Sequence, residues 1–207
     1  MSVVCPTITA YTANEYTKQL QNISFAKRIH IDFMDGVFAP TKSPPLHDAY
    51  WPKGIQADLH IMFRKPMTLL HDVLKLHPHL VVVHAEAEHV SSFVHELHEH
   101  RIAVGIALLQ KTSTDVLSHF IHVVDHVLIF SGDLGHHGGT ADLDLLHKVH
   151  MVRAMHPTIE IGWDGGINSS NILQLAQAGV NVFNVGGSIQ NAQNAQSAYD
   201  SLTELLQ

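Results

Sequence analysis

Short β-branched or apolar runs alternate regularly with stretches in which apolar residues recur three and four positions apart. The runs predict strands over residues 3–8, 28–33, 57–62, 80–84, 103–108, 126–130, 159–163 and 182–185. Between them, Val90, Phe93, Val94 and Leu97 share one helical face, as do Leu145, Val149 and Val152, and later Ala195, Ala198, Leu202 and Leu205. Leu80, Val81, Val82 and Val83 are apolar without alternation, the mark of a strand covered on both faces, so the sheet is expected to be parallel with helices outside it. A helix over 169–178, started by Ser169 or Ser170 and stopped by Gly179, fits the capping preferences of those residues. Eight strand-and-helix units predict an α/β protein with a single domain over residues 1–207, a small TIM (β/α)8 barrel. An open doubly wound sheet would want a Gly-x-Gly-x-x-Gly loop after the first strand, where this chain has Pro6-Thr7-Ile8-Thr9. In a barrel, the chemistry belongs where strands end and loops begin, on the C-terminal rim.

Composition narrows the partners. At 207 residues, 45% of them hydrophobic, the chain can bury a core without a disulfide or a structural metal. Its one cysteine, Cys5, makes no internal disulfide and excludes a four-thiolate site, so a reducing, cytoplasmic setting is expected. No apolar window reaches about 18 residues and no basic-then-apolar leader stands at the start, so no membrane partner is expected. The formal net charge is −7 and the 12 Lys and Arg are spread singly, which argues against nucleic acid, because phosphate neutralisation needs clustered basic groups. A small molecule fits better. The 19 histidines are unusual. His95, His98, His100, His119, His122, His147 and His150 fall on or beside predicted helices and read as solvated surface groups.

Other histidines lie inside predicted strands. A period of two puts His30, Asp32 and Met34 on one face of the second strand, with Ile29, Ile31 and Phe33 on the other. The third strand repeats this with Asp58 and His60 against Leu59 and Ile61, followed by Met62, and the seventh runs into Trp163-Asp164-Gly165-Gly166. Burying an imidazole beside a carboxylate is costly unless each has a partner. A divalent metal satisfies both, and so does a structural hydrogen bond. Mixed imidazole and carboxylate ligands suit Zn, Fe, Mn or Co, with Zn the first choice.

Five segments carry a resemblance. His30-Ile31-Asp32-Phe33-Met34-Asp35-Gly36-Val37-Phe38-Ala39-Pro40, Asp58-Leu59-His60-Ile61-Met62, Val83-His84-Ala85-Glu86-Ala87, Val104-Gly105-Ile106-Ala107-Leu108 and Asp164-Gly165-Gly166-Ile167-Asn168 occur in that order. Together they resemble the ribulose-phosphate 3-epimerase family from Pro6-Thr7 to Gly186-Gly187-Ser188. The resemblance implies a metal-dependent epimerase of a ketose phosphate, of the ribulose 5-phosphate and xylulose 5-phosphate type. Its divalent ion would be held by His30, Asp32, His60 and Asp164. Asp32 and Asp164 would be the catalytic acid and base, working on opposite faces of the carbon beside the ketone through an enediolate. The resemblance also allows for a homo-oligomer. Met34 and Met62 would form an apolar ceiling over the intermediate or, equally, ordinary barrel packing. Asp35-Gly36 reads as a loop and helix-start feature, and His84 and Glu86 as supporting or structural groups.

The chain also departs from the family's pattern. After strand six the usual Pro-Gly-Phe-Gly-Gly-Gln loop is replaced by Ser131-Gly132-Asp133-Leu134-Gly135-His136-His137-Gly138-Gly139-Thr140. Phe130 stands where methionine is common, and Thr7 where serine is usual. Substrate phosphate is expected at the amides of Gly138, Gly139, Gly165, Gly166, Gly186 and Gly187, the last pair aided by the following helix N-terminus, with His136 or His137 adding a donor or a charge. Thr7 joins them as a substrate contact. Two other readings remain open from sequence: a barrel that only binds a phosphorylated ligand, and a related enzyme such as a hexulose-phosphate epimerase or synthase or an indole-glycerol-phosphate-type lyase.

Overall fold

The computed structural model describes residues 2–207. Eight parallel strands close into a barrel in chain order: β1 (Val3–Ile8), β2 (Arg28–Met34), β3 (Gln56–Met62), β4 (Leu80–His84), β5 (Ala103–Leu108), β6 (His126–Phe130), β7 (Glu160–Asp164) and β8 (Val182–Val185). The helices α1 (Ala13–Asn22), α2 (Leu70–Leu76), α3 (Val90–Glu99), α4 (Leu146–Met155), α5 (Ile172–Ala178), α6 (Gly187–Gln190) and α7 (Ala195–Glu204) follow in sequence. No helix among the described residues is long and apolar enough to cross a membrane. The single-domain barrel expected from the alternation is therefore what forms, and β7 runs one residue further than expected, so that Asp164 is still paired in the ladder between Phe130 and Asn184.

Two of the seven crossovers between consecutive strands carry no α-helix. Between β2 and β3 there is only a 3-10 turn, Leu46–Asp48, because Pro40, Pro44, Pro45 and Pro52 remove the amides a helix needs. Between β5 and β6 a 3-10 turn, Thr114–His119, is capped by Ser113, whose hydroxyl accepts from Asp115 N. The helix expected from residue 169 begins at Ile172 instead: Asn168 and Asn171 side chains hold the preceding turn, accepting from Ser170 N and Asn168 N. Gly179 ends it at φ +109°, as expected of that position. The seven histidines placed on helical surfaces are all exposed.

The alternation along each strand divides the molecule into two cores. Ile29, Ile31, Phe33, Leu59, Ile61, Val81, Val83, Ile106, Ile129 and Trp163 point outward into one apolar layer shared with Phe93, Leu97, Val149, Val152 and Leu175 of the helices. The opposite face of each strand points into the barrel, where the packing is layered. Leu80, Val82, Ala107 and Leu128 form a small apolar middle layer. Below it lies a charged floor: Arg28 donates through Nε to Asp58 Oδ2 at 2.7 Å and through both terminal nitrogens to Glu160 at 2.9 and 2.8 Å, and Glu160 also pairs with His126 Nδ1 at 2.8 Å. Asp58, on the same strand face as His60, thus belongs to the floor and not to the rim.

Among the described residues, Arg28 is the only counter-charge in direct contact with the buried Asp58. Arg28→Leu is expected to cost about 3–5 kcal/mol in denaturant unfolding, since it strands a buried carboxylate. Burial opposes the charged form of Glu160, but its bonds from Arg28 and His126 outweigh this and hold it well below the usual carboxylate range. Its contribution is present above a pH of about 4.5 and is lost as pH falls toward that depressed value. Glu160→Gln should flatten this acid limb of the stability profile; an unchanged limb would remove Glu160 from the account.

Candidate active site

Above the apolar layer, three strands deliver four polar side chains to one point. β2 carries His30 and Asp32 on its inner face, β3 places His60 directly opposite Asp32 in the register, and β7 ends on Asp164. Asp32 Oδ1 lies 3.0 Å from His60 Nδ1 and 3.3 Å from His30 Nε2, while Asp164 Oδ2 lies 3.5 and 3.6 Å from the same two nitrogens. The four ligand-type atoms all lie within 4.8 Å of one another and all four residues are buried. Ligand atoms at about 2.0–2.2 Å from a shared tetrahedral ion stand roughly 3.3–3.6 Å apart. His30 Nε2 makes no hydrogen bond although it is buried, an orphan that a cation at this centre would satisfy. The donor set and its spacing therefore fit a metal ion.

The electrostatics are those of mutually compensating charges. Burial works against a charged His30, yet the carboxylates of Asp164 and Asp32 prevail and push its pKa up to about 10, and His60 is raised for the same reason. Burial likewise opposes the charged forms of Asp32 and Asp164, but the two imidazoles hold both carboxyls below their ordinary range.

A second set of residues holds the first in place. Thr9 Oγ1 donates to Asp32 Oδ2 at 2.6 Å, and the Gln19 side chain clamps the Thr9 backbone, accepting from its amide and donating to its carbonyl at 2.9 Å each. Asn184 is buried beside Asp164 on β8, with its Oδ1 unpartnered. Neither Thr9 nor Asn184 was anticipated from the sequence, although both were signalled by the same rule that exposed His30 and Asp32. Thr9 lies two residues beyond Thr7, and Asn184 interrupts Val182-Phe183-Asn184-Val185. Asp35 starts no helix; its Oδ1 accepts from Val37 N and Phe38 N at 2.7 Å and its Oδ2 from Arg64 N at 2.8 Å, so it organises the loop after β2.

Over the centre opens a cavity of about 360 Å³ on the C-terminal side of the strands. Thr7, Asp32, Met62, Phe130, Asp164 and Asn184 form its base, and Gly138, Gly139, Gly165, Gly166, Gly186 and Gly187 its walls. Met62 thus lines the cavity, whereas Met34 sits behind it, packed with Ala39, Phe38 and Leu134. Gly165 and Gly166 have φ of +113° and +70°, and a side chain on either would strike the backbone of the loop after β6, at Gly132 and at Ala141. They let two loop backbones meet. α6 is a single turn, so few aligned peptides stand behind Gly187 and the loop amides must do what a longer helix dipole would. No lysine or arginine lines the cavity. His136 and His137 do, and the His137 ring packs against Gly186 with its Nδ1 buried and unpartnered.

Fold and site together define a TIM-barrel enzyme whose centre is a buried His/Asp group, able to hold a metal ion, beneath a glycine-walled cavity on the strand ends. Residues 3–190 match the profile of the ribulose-phosphate 3 epimerase family, and the chain belongs to that family. It is 27% identical to a ribulose-phosphate 3-epimerase of Helicobacter pylori over 99% of this chain and 98% of that one, and 29% identical to that of Synechocystis over 95% and 90%. The chain is accordingly an epimerase, an isomerase of the pentose phosphate type. Among solved structures, KGPDC from Streptococcus mutans superposes with a TM-score of 0.72 at 10% identity over 99% of this chain and 97% of its own, and 3-hexulose-6-phosphate synthase with 0.68 at 15% over the whole of both. At these identities they share the barrel only.

Thr9→Val keeps the shape of Thr9 while removing its donor from Asp32. The variant should lose about 1–3 kcal/mol of stability in denaturant unfolding, the cost of a buried acceptor left unmet; no loss would mean that Asp32 Oδ2 is satisfied by water.

Proposed function

We propose that this chain interconverts ribulose 5-phosphate and xylulose 5-phosphate by moving a proton on and off the carbon beside the ketone, with Asp32 and Asp164 on opposite faces of that carbon. One observation carries this reading: β2 and β7 stand three strands apart around the barrel, yet their terminal carboxylates meet the same pair of histidines below the cavity. A substrate carbon held over that point has a carboxylate on either side. A proton removed by one and returned by the other inverts the centre, passing through an enediolate of the sugar.

The atoms left for the proton are Asp32 Oδ2, which keeps one lone pair beside its bond from Thr9, and Asp164 Oδ1, which accepts no hydrogen bond among the described residues. His30 and His60 orient the other oxygen of each carboxylate. His30, Asp32, His60 and Asp164 would hold a divalent ion, Zn before Fe, Mn or Co, which when bound would supply Lewis-acid stabilisation of negative charge on the sugar oxygens. Met62 and Phe130 exclude water without offering a proton, with Met34 holding Met62 from behind. Thr7 Oγ1 and Asn184 Oδ1, buried and unpartnered, are supplied for substrate hydroxyls. The phosphate end is assigned to the loop amides at Gly138, Gly139, Gly186 and Gly187, with Gly165 and Gly166 shaping the wall beside them, and to His136 and His137.

The metal-loaded protein in deuterated water should place deuterium beside the ketone of ribulose 5-phosphate, and more slowly in allulose 6-phosphate. Asp32→Asn and Asp164→Asn should still fold, less stably because buried imidazoles lose a counter-charge, and lose about 10²–10⁴-fold in epimerisation, each failing to wash out the proton of one epimer only. Loss of exchange from both epimers in one variant, with the other near normal, would leave a single base and overturn the two-carboxylate reading.

Because no lysine or arginine among the described residues lines the cavity, His137, whose Nδ1 is buried and unpartnered, is a side-chain hydrogen-bond partner for the phosphate. His137→Ala should raise KM about tenfold or more with kcat little changed, as expected for a lost hydrogen bond to a charged group. An unaltered KM would assign the phosphate to backbone amides alone.

A further inference from the structure

Just behind the centre, two buried imidazoles share a contact that the reaction does not use directly. His60 presents Nδ1 toward Asp32 and, on its other side, places Nε2 at 2.9 Å from Nε2 of His84. Both rings are fully buried. One proton therefore sits between these two nitrogens, since two would repel and none would set lone pair against lone pair with no water to relieve it.

Ownership of that proton decides what the centre receives. Were it on His84, a neutral His60 would keep its proton on Nδ1, and that N–H would occupy the direction a cation must use. Were it on His60, Nδ1 presents a lone pair to Asp32, Asp164 and His30 once the proton that the carboxylates hold there gives way to a cation, and neutral His84 carries its own proton on Nδ1. His84 Nδ1 faces Glu86 Oε2 at 3.5 Å and has no hydrogen-bond partner of its own. A carboxylate opposite that nitrogen favours N–H over a lone pair, so Glu86 selects the second arrangement.

The surroundings keep the relay in register. The His60 and His84 rings stack with centroids 4.9 Å apart and 29° between planes, and Phe130 leans on both, at 5.9 and 5.7 Å. Phe38 covers His84 at 4.9 Å. Glu86 is anchored at its other oxygen by Leu109 N at 3.1 Å and by the Thr112 hydroxyl. That loop is pinned in turn by Lys148 of α4, whose Nζ donates to the carbonyls of Leu109, Gln110 and Thr112 at 2.7, 2.8 and 2.8 Å.

We propose that His84 is a positioning residue for cation binding: it accepts from His60 Nε2–H, fixes the His60 tautomer whose Nδ1 lone pair faces the centre, and is itself fixed by Glu86. Metal-ligating histidines commonly give their second N–H to a carboxylate or carbonyl. Here a second imidazole is interposed and the carboxylate stands one group further out. The inference rests on the metal reading above and adds to it which residue prepares the ligand.

The test uses Zn2+ as the probe and two readouts other than turnover. In the zinc-loaded wild-type protein, nitrogen NMR of the histidine rings should show His84 protonated at Nδ1 and unprotonated at Nε2, with His60 protonated at Nε2. By competition titration, His84→Leu should bind Zn2+ about 10- to 100-fold more weakly than wild type, while His84→Gln, whose amide oxygen can still accept from His60, should recover most of the loss. If His84→Leu does not fold, the wild-type spectrum and His84→Gln still decide. His84 protonated at Nε2, or equal zinc affinity in folded His84→Leu and wild type, overturns the relay while leaving the metal site intact. A wild-type protein that takes up no Zn2+ overturns the metal reading and the relay with it.

Discussion

Two carboxylates and two imidazoles withdrawn from water at one point are tolerable only together, and the upper half of the barrel is arranged around that requirement. Asp32 and Asp164 stay charged because His30 and His60 face them, and the histidines are held basic by the carboxylates in return. Removing a single member leaves the rest with uncompensated buried charge, a larger penalty than the loss of any one hydrogen bond. The exchange of two protons for one divalent ion keeps the charge of the set unchanged, which is why the same residues can be both a stable cluster and a metal site.

The same logic operates at the floor with a different outcome. There Arg28 brings a permanent positive charge to Asp58 and Glu160, and a fork of guanidinium nitrogens meets the glutamate in two parallel bonds. A cluster that already contains its cation has nothing to offer a metal, and the floor is closed. Between floor and rim the thin layer of Leu80, Val82, Ala107 and Leu128 separates the two charged sets. Polar residues on the inner strand face thus divide by partner: with arginine they are structural, without it they are chemical.

The loop after β6 departs from the pattern of its family, and it is woven into the site. Ser131 N donates to Asp164 O at 2.7 Å, and Ser131 Oγ accepts from Asp142 N at 2.7 Å, so the loop base is tied to the strand that carries a central carboxylate. The Thr41 hydroxyl and Tyr11 hydroxyl both reach Gly135 O from across the rim. His136 and His137 at the loop's crest face the cavity, while the loop base holds its contacts to the strand that carries Asp164.

Much of this architecture was legible along the chain. Uninterrupted runs such as Leu80–His84 announced strands covered on both faces, and polar residues at alternate positions of β2 and β3 announced an inner face that was not merely packed. Periodicity reports which side of a strand a residue occupies, because that follows from local backbone geometry alone. It does not report height within the barrel or the partner found there. Asp32 of β2 and Asp58 of β3 share a residue type and both face the barrel interior, and only closure of the barrel set one against His30 and His60 and the other against Arg28. The same holds for Thr9 and Asn184, and for His84, whose contact with His60 depends on adjacent strands being held in one register. The crossovers without helices were decided by prolines already present in the chain for one, and by tertiary anchoring of a short segment through Lys148 for the other. Sequence determined the strands, their faces and the residues able to do chemistry; the closed barrel determined which of them meet, since contacts between distant segments arise from the register and curvature of the whole sheet.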